Sequence, residues 1–210
     1  MTDDVRADGP WDESEIDLGD GIERIDLGAL LVPATEGMDL QVQVDEQTGS
    51  IVQVTLAMKE CAVQVQPYAA PRSGGMWSDV RAQIKKSIST SGGLVEEADG
   101  PFGIELRAQI KPTDGGKSLQ SVRFVGAEGP RWFLRAVFLG KASRPGPEAV
   151  ALEAVVRGLV VVRGGDAMPV GAPITMRLPE ALDAGGSSGR PPINPFERGP
   201  EITEIRWGLP

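Results

Sequence analysis

The sequence predicts an α+β fold: a twisted, mostly antiparallel sheet of about seven strands carrying two helices. Three observations predict it. Apolar and polar residues alternate through the middle of the chain, the pattern of half-buried antiparallel strands. One stretch, bounded by glycine pairs, changes to three- and four-residue steps. Another opens on Pro147 and continues EAVALEAVVRGL, short and very apolar, as a second helix.

Residues 1–26 hold ten carboxylates, Asp3, Asp4, Asp8, Asp12, Glu13, Glu15, Asp17, Asp20, Glu23 and Asp26, against Arg6 and Arg24. Eight of the nine net negative charges therefore lie there, and the segment is expected to be a flexible acidic arm. Its polar start is neither a secretory signal nor a transit peptide. No apolar run reaches the roughly 18 residues of a membrane span, so a cytoplasmic address is the default expectation.

Residues 27–33 (LGALLVP) read as an entering strand. In Asp39–Val44, Leu40, Val42 and Val44 alternate with Gln41 and Gln43. Ile51–Met58 and residues 61–66 repeat the pattern, with Gln53, Thr55, Gln64 and Gln66 on the polar side. The helix is placed by Trp77, Val80, Ile84 and Ile88 on one stripe, by Ser73 or Ser78 as N-cap, and by Gly92-Gly93 as the stop. It is expected to cover the face that carries Cys61 and Val63. Strands follow at 94–98, 102–110, 119–126 and 131–140. Ile104, Leu106, Ala108, Ile110, Val122 and Phe124 are assigned to one inward face with Trp132, Leu134, Ala136 and Phe138. After the second helix, Val160-Val161-Val162 supplies a last strand. The expected organisation is an arm (1–26), a single α+β domain (27–178) and a Pro/Gly-rich linker and terminal segment (179–210).

Composition excludes several chemistries. With no histidine and one cysteine, internal disulfides, Ser-His-Asp triads, Cys-His dyads and the usual zinc sites are ruled out, and no cofactor is expected. Outside the arm the charges nearly cancel, so no nucleic-acid partner is expected. Cys61 shares its face with Val63 and Val65 and reads as a buried small hydrophobe. Asp17 and Asp20 lack calcium-loop spacing.

The main functional candidate is the polar sheet face. Gln41, Gln43, Gln53, Gln64 and Gln66 are expected to share it with Arg107, Arg123, Arg131 and Arg135, as a groove for an acidic or extended ligand such as the chain's own arm. The plain alternative is a solvated or helix-covered face, with Glu105 pairing one arginine. Arg72, Ser73, Gly74 and Gly75 form a loop that could present helix N–H groups to an anion; otherwise it is a turn giving Trp77 room. Gly115-Gly116-Lys117-Ser118 resembles the end of a P-loop, but Lys111 stands where the pattern needs glycine, which leaves a hairpin loop. Phe196, Ile205 and Trp207 are either a docking tail or a segment folded back on its own domain.

The functional expectation is a non-catalytic interaction module for an unknown protein partner or a small anionic ligand. The alternative is a small metal-independent hydrolase or transferase acting on an anionic metabolite, with arginines for binding and an Asp/Glu base.

The runs APRSGGMW, GPFG, SVRFVGAEGPRWFLR and VVVRGGDAMP, with the lead-in DLGDGIERIDLGALLVP, resemble the actinobacterial domain of unknown function 3710 family over residues 17–179. The resemblance carries over no catalytic residue. The order of strands and helices is also similar to Mog1/PsbP-like folds, which bears on architecture alone.

Overall fold

A computed structural model describes residues 6–45, 50–111 and 119–177. The first half forms β1 (Trp11–Asp12), β2 (Arg24–Asp26), β3 (Leu30–Pro33), β4 (Asp39–Val44), β5 (Ile51–Met58), β6 (Cys61–Ala69) and helix α1 (Met76–Thr90). The second half forms β7 (Leu94–Gly100), β8 (Gly103–Ile110), β9 (Gln120–Gly129), β10 (Trp132–Gly140), helix α2 (Pro147–Arg157) and β11 (Val160–Val161).

Seven strands make one antiparallel sheet in the order β4-β5-β6-β10-β9-β8-β7. A second, four-stranded sheet has the order β1-β11-β3-β2 and is mixed, because β1 runs parallel to β11. The large sheet is covered on both sides. On one, Trp77, Ile84 and Ile88 of α1 pack on Leu106, Ala108, Val122, Phe124, Phe133 and Val137. On the other, Val63, Val65, Leu134 and Phe138 share a core with Leu152 and Val156 of α2 and with Leu30, Val32 and Val161 of the small sheet.

Two expectations about faces are corrected. Helix α1 does not cover Cys61 and Val63, which lie in the core under α2. Nor do Trp132, Leu134, Ala136 and Phe138 share a side with Leu106 and Phe124. Phe124 stands opposite Val137, and Phe138 stands opposite Arg123. The cause is β10 itself, which is apolar on both sides, so hydrophobicity alone fits either register.

Gly126 lets α1 close on the sheet. A Cβ there would lie 2.4 Å from the Trp77 ring and 2.7 Å from Phe133. With that room, Trp77 stacks on Phe133 with ring centroids 5.9 Å apart and donates its indole N–H to the Ile104 carbonyl at 2.7 Å. The middle of the helix is tied to β7, where Glu97 lies 3.0 Å from Lys85 and 3.4 Å from Arg81.

The expected free arm is corrected for residues 6–26. Trp11 N–H donates to the Leu159 carbonyl at 2.9 Å and Glu13 N–H to Val161 at 3.1 Å, which lays β1 along β11. Asp12 is buried and accepts the indole N–H of the fully buried Trp132 at 2.8 Å. An indole N–H closed off from water needs such a partner. Arg6 lies over the Trp132 ring at 5.4 Å and pairs with Glu15, and Arg24 pairs with Asp20 at 2.7 Å. The segment thus docks on the α2 side, away from the glutamines.

Burial alone would raise the Asp12 carboxyl. Hydrogen bonds from Ser14 and Trp132, helped by Arg6, outweigh it and hold the group below its ordinary value of 3.8. A lowered folded-state value means the contribution is complete above about pH 5 and is lost as pH falls through and below the ordinary carboxyl range. Asp12→Asn is therefore expected to cost about 1–3 kcal/mol at neutral pH and to flatten the acid limb of the stability curve. Urea melts of both proteins at pH 7 and at about pH 2.5 check this; equal acid sensitivity would sink it.

Candidate functional site

Helix α1 lies over β7 to β10, and among the described residues its apolar cluster takes Tyr68 from β6 and nothing from β4 or β5. Cross-strand register assembles the open strip on that side of β4, β5 and β6. Gln43 stands opposite Gln53, Gln41 opposite Thr55, Thr55 opposite Gln64, and Gln66 opposite Arg135. All five glutamines thus share one side with Arg135, as expected. Gln41 and Gln43 are exposed and the other three are half-buried. At the strip's inner border, Arg135 Nη2 and the Tyr68 hydroxyl both donate to Gln66 Oε1, at 3.1 and 2.5 Å. Arg135 also lies over the Tyr68 ring at 5.5 Å. Burial pushes the Tyr68 hydroxyl's pKa upward, against the smaller opposing pull of Arg135, so it stays a proton donor.

The other expected arginines do not join this strip. Arg107 and Arg123 stand opposite one another on the reverse face. Arg123 is 1 % exposed, with Nη1 2.6 Å from Glu153 Oε1 on α2 and 3.5 Å from Glu105 Oε2 on β8. Arg107 holds the other Glu105 oxygen at 2.9 Å. The Arg123 guanidinium lies over the Phe138 ring at 4.2 Å, and its Nε and Nη2 have no hydrogen-bond partner. This closed ionic knot pins α2 to the sheet. Parity of alternation misplaced it, because β8 puts Glu105 and Arg107, and β9 puts Arg123 beside Val125, on the α2 side.

The glycine loop before α1 is also resolved. Gly74 and Gly75 have φ of 67° and 85°, where a Cβ is disfavoured. Neither Ser73 nor Ser78 caps the helix. Glu128 of β9 does so instead, accepting from Gly75 N–H at 2.9 Å and Trp77 N–H at 2.5 Å. The anion expected at this loop is an internal carboxylate, and no local sequence signal could reveal a cap 51 residues away. Arg72, Pro130 and Arg131 line an open depression.

Cys61 is buried and donates to the Met58 carbonyl at 2.8 Å; burial pushes its thiol pKa up, away from thiolate reactivity. Among the described residues, no three His, Cys, Asp or Glu side chains converge as a metal site, and no helix is long and apolar enough to cross a membrane. Phe196, Ile205, Trp207 and the 115–118 loop lie outside the described residues.

Fold and site together define a class: an α+β domain whose antiparallel sheet sits between one helix and a helix-plus-small-sheet layer, with an amide-lined strip left open. A family model described as protein of unknown function (DUF3710) matches residues 9–185, and the chain belongs to that family. No curated protein matches the chain.

Two substitutions test the supports of the site. Arg123→Met leaves Glu153 without its partner and Glu105 with Arg107 alone, and is expected to cost about 3–5 kcal/mol, with Glu105→Gln and Glu153→Gln added to it restoring most of that. Chemical denaturation of the three proteins decides; a loss below about 1 kcal/mol would assign the knot no structural weight. Glu128→Ala is expected to cost about 1–2 kcal/mol and to speed amide exchange at Gly75 and Trp77. Unchanged protection at those two amides would refute the capping role.

Proposed function

We propose that this chain is a binding module that seats an extended polypeptide segment of a protein partner on the open strip of β4, β5 and β6. The observation that carries the reading is that α1 stops short of these strands and that the uncovered side is lined by five neutral amides. Each glutamine side chain offers both donors and an acceptor, the same complement as a peptide backbone. Neutral amides are also cheaper to strip of water than the lysines and glutamates that usually cover an open sheet face. Arg135, steadied by Gln66 and Tyr68, supplies a positive charge for an acidic side chain on the partner, while the exposed Asp39, of the same parity as Gln41, puts a carboxylate at the outer end of the strip. β4 is the last strand of the sheet, so an incoming segment also meets an edge.

The alternative of a hydrolase or transferase needs an accessible carboxylate beside two arginines. Glu105 stands beside Arg107 and Arg123, but the side chains of Glu105 and Arg123 are each 1 % exposed. We therefore assign that cluster to structure.

The test is affinity capture from cells that express the chain. The variant Gln53→Glu/Gln64→Glu/Arg135→Glu is expected to fold, by its thermal melt, and to lose the captured partner by about tenfold or more. Ala154→Glu, on the exposed side of α2, should capture as the unaltered chain does. Equal recovery by all three proteins would remove the case for the strip.

A further inference from the structure

A second polar feature lies at the end of the β6–β10 lane. Gly129 and Trp132 are paired, so Pro130 and Arg131 alone make the turn between β9 and β10. Arg131 takes φ of +64°. Glycine is the ordinary residue at such a turn position, because a side chain there costs on the order of 1 kcal/mol. The chain keeps a guanidinium despite that cost.

Arg131 is held from several directions. Its carbonyl accepts from Ala70 N–H at 2.9 Å and from Arg163 Nε at 3.3 Å, and its Nη2 donates to the Gly164 carbonyl at 3.0 Å. Only one of its guanidinium N–H groups is committed by that last bond. Arg131 lines an open depression of about 370 Å³ together with Arg72 and Pro130. Arg163, itself 8 % exposed, adds a third positive charge behind the turn. Among the described residues, no carboxylate lies within ion-pair distance of Arg72, Arg131 or Arg163. The Glu128 carboxylate, on the same hairpin, is engaged by the N–H groups of Gly75 and Trp77. Asp166 offers Arg163 its backbone carbonyl, at 3.1 Å.

Two arginines that line one open depression, neither with an ion-pair partner among the described residues, suit an anion with several acceptor oxygens. We propose that Arg72 and Arg131 form a binding site for a phosphoryl group. The site shares no residue with the amide-lined strip and stands or falls separately from it.

Inorganic phosphate is the probe, titrated into the full chain against potassium chloride at matched ionic strength and followed by phosphorus NMR line width and by thermal shift. A saturable response is expected from the unaltered protein, weakened about tenfold or more in Arg72→Ala and in Arg131→Gly. Arg131→Gly is the decisive variant, since glycine suits the positive φ and should hold the fold while removing the guanidinium. A phosphoserine peptide run alongside separates the sources: tighter binding than phosphate points to a modified protein, equal binding to a small molecule. The proposal is overturned by no saturation up to about 20 mM phosphate, well above the millimolar affinity that two charge-assisted contacts support. It is equally overturned by an unchanged response in both variants, or by acetate acting as well as phosphate.

Discussion

Strand β10 imposes the constraint on which the architecture depends. It buries Trp132, Leu134, Ala136 and Phe138 on one side and Phe133 and Val137 on the other. Each of the larger side chains gains about 1.5–3 kcal/mol by leaving water, whereas an exposed ion pair contributes about 0–1 kcal/mol. Neither side of β10 can therefore face solvent, and the sheet has to be covered twice. Helix α1 supplies one cover. The other needs α2 and the small sheet together, and the small sheet is completed by β1 from the acidic lead-in.

The open strip follows from the same constraint and from simple dimensions. Fifteen residues of helix span about 22 Å, while seven strands side by side span about 34 Å. One helix over β10 and its neighbours on one flank cannot reach β4, β5 and β6. Those strands must then be polar on that side, and their alternation of glutamine with valine and leucine meets the requirement. That the polar residues are amides instead of charges is not dictated by exposure, and this is why the strip, not the buried arginine knot, supports a binding role.

Charge serves closure more than display in this chain. Asp12 satisfies the Trp132 indole from 120 residues away, Glu128 caps α1, and Glu105 and Glu153 enclose Arg123. These carboxylates stitch the outer layers to the central sheet. Arg72 and Arg131 depart from the pattern, for both line one depression and neither has an ion-pair partner among the described residues. Membership of a family whose function is unknown leaves the chemistry of these surfaces as the guide to what the chain binds.

The sequence by itself determined the elements. Period-two alternation located β4 to β10, and the Trp77-Val80-Ile84-Ile88 stripe between glycine pairs located α1, because both signals are local and repeat within a few residues. It also determined that the five glutamines share a side, since short hairpins carry parity from strand to strand. Tertiary structure decided the rest. Which side of β10 faces α1 depends on the register set at Pro130 and Arg131, and a strand with large apolar residues on both sides does not encode that choice. Arg107 and Arg123 went to the opposite side for the same reason. The fate of the arm turned on a buried indole far along the chain, and that of the glycine loop on a carboxylate from β9. Such long-range pairings leave no periodic trace, because only folding brings the partners within reach.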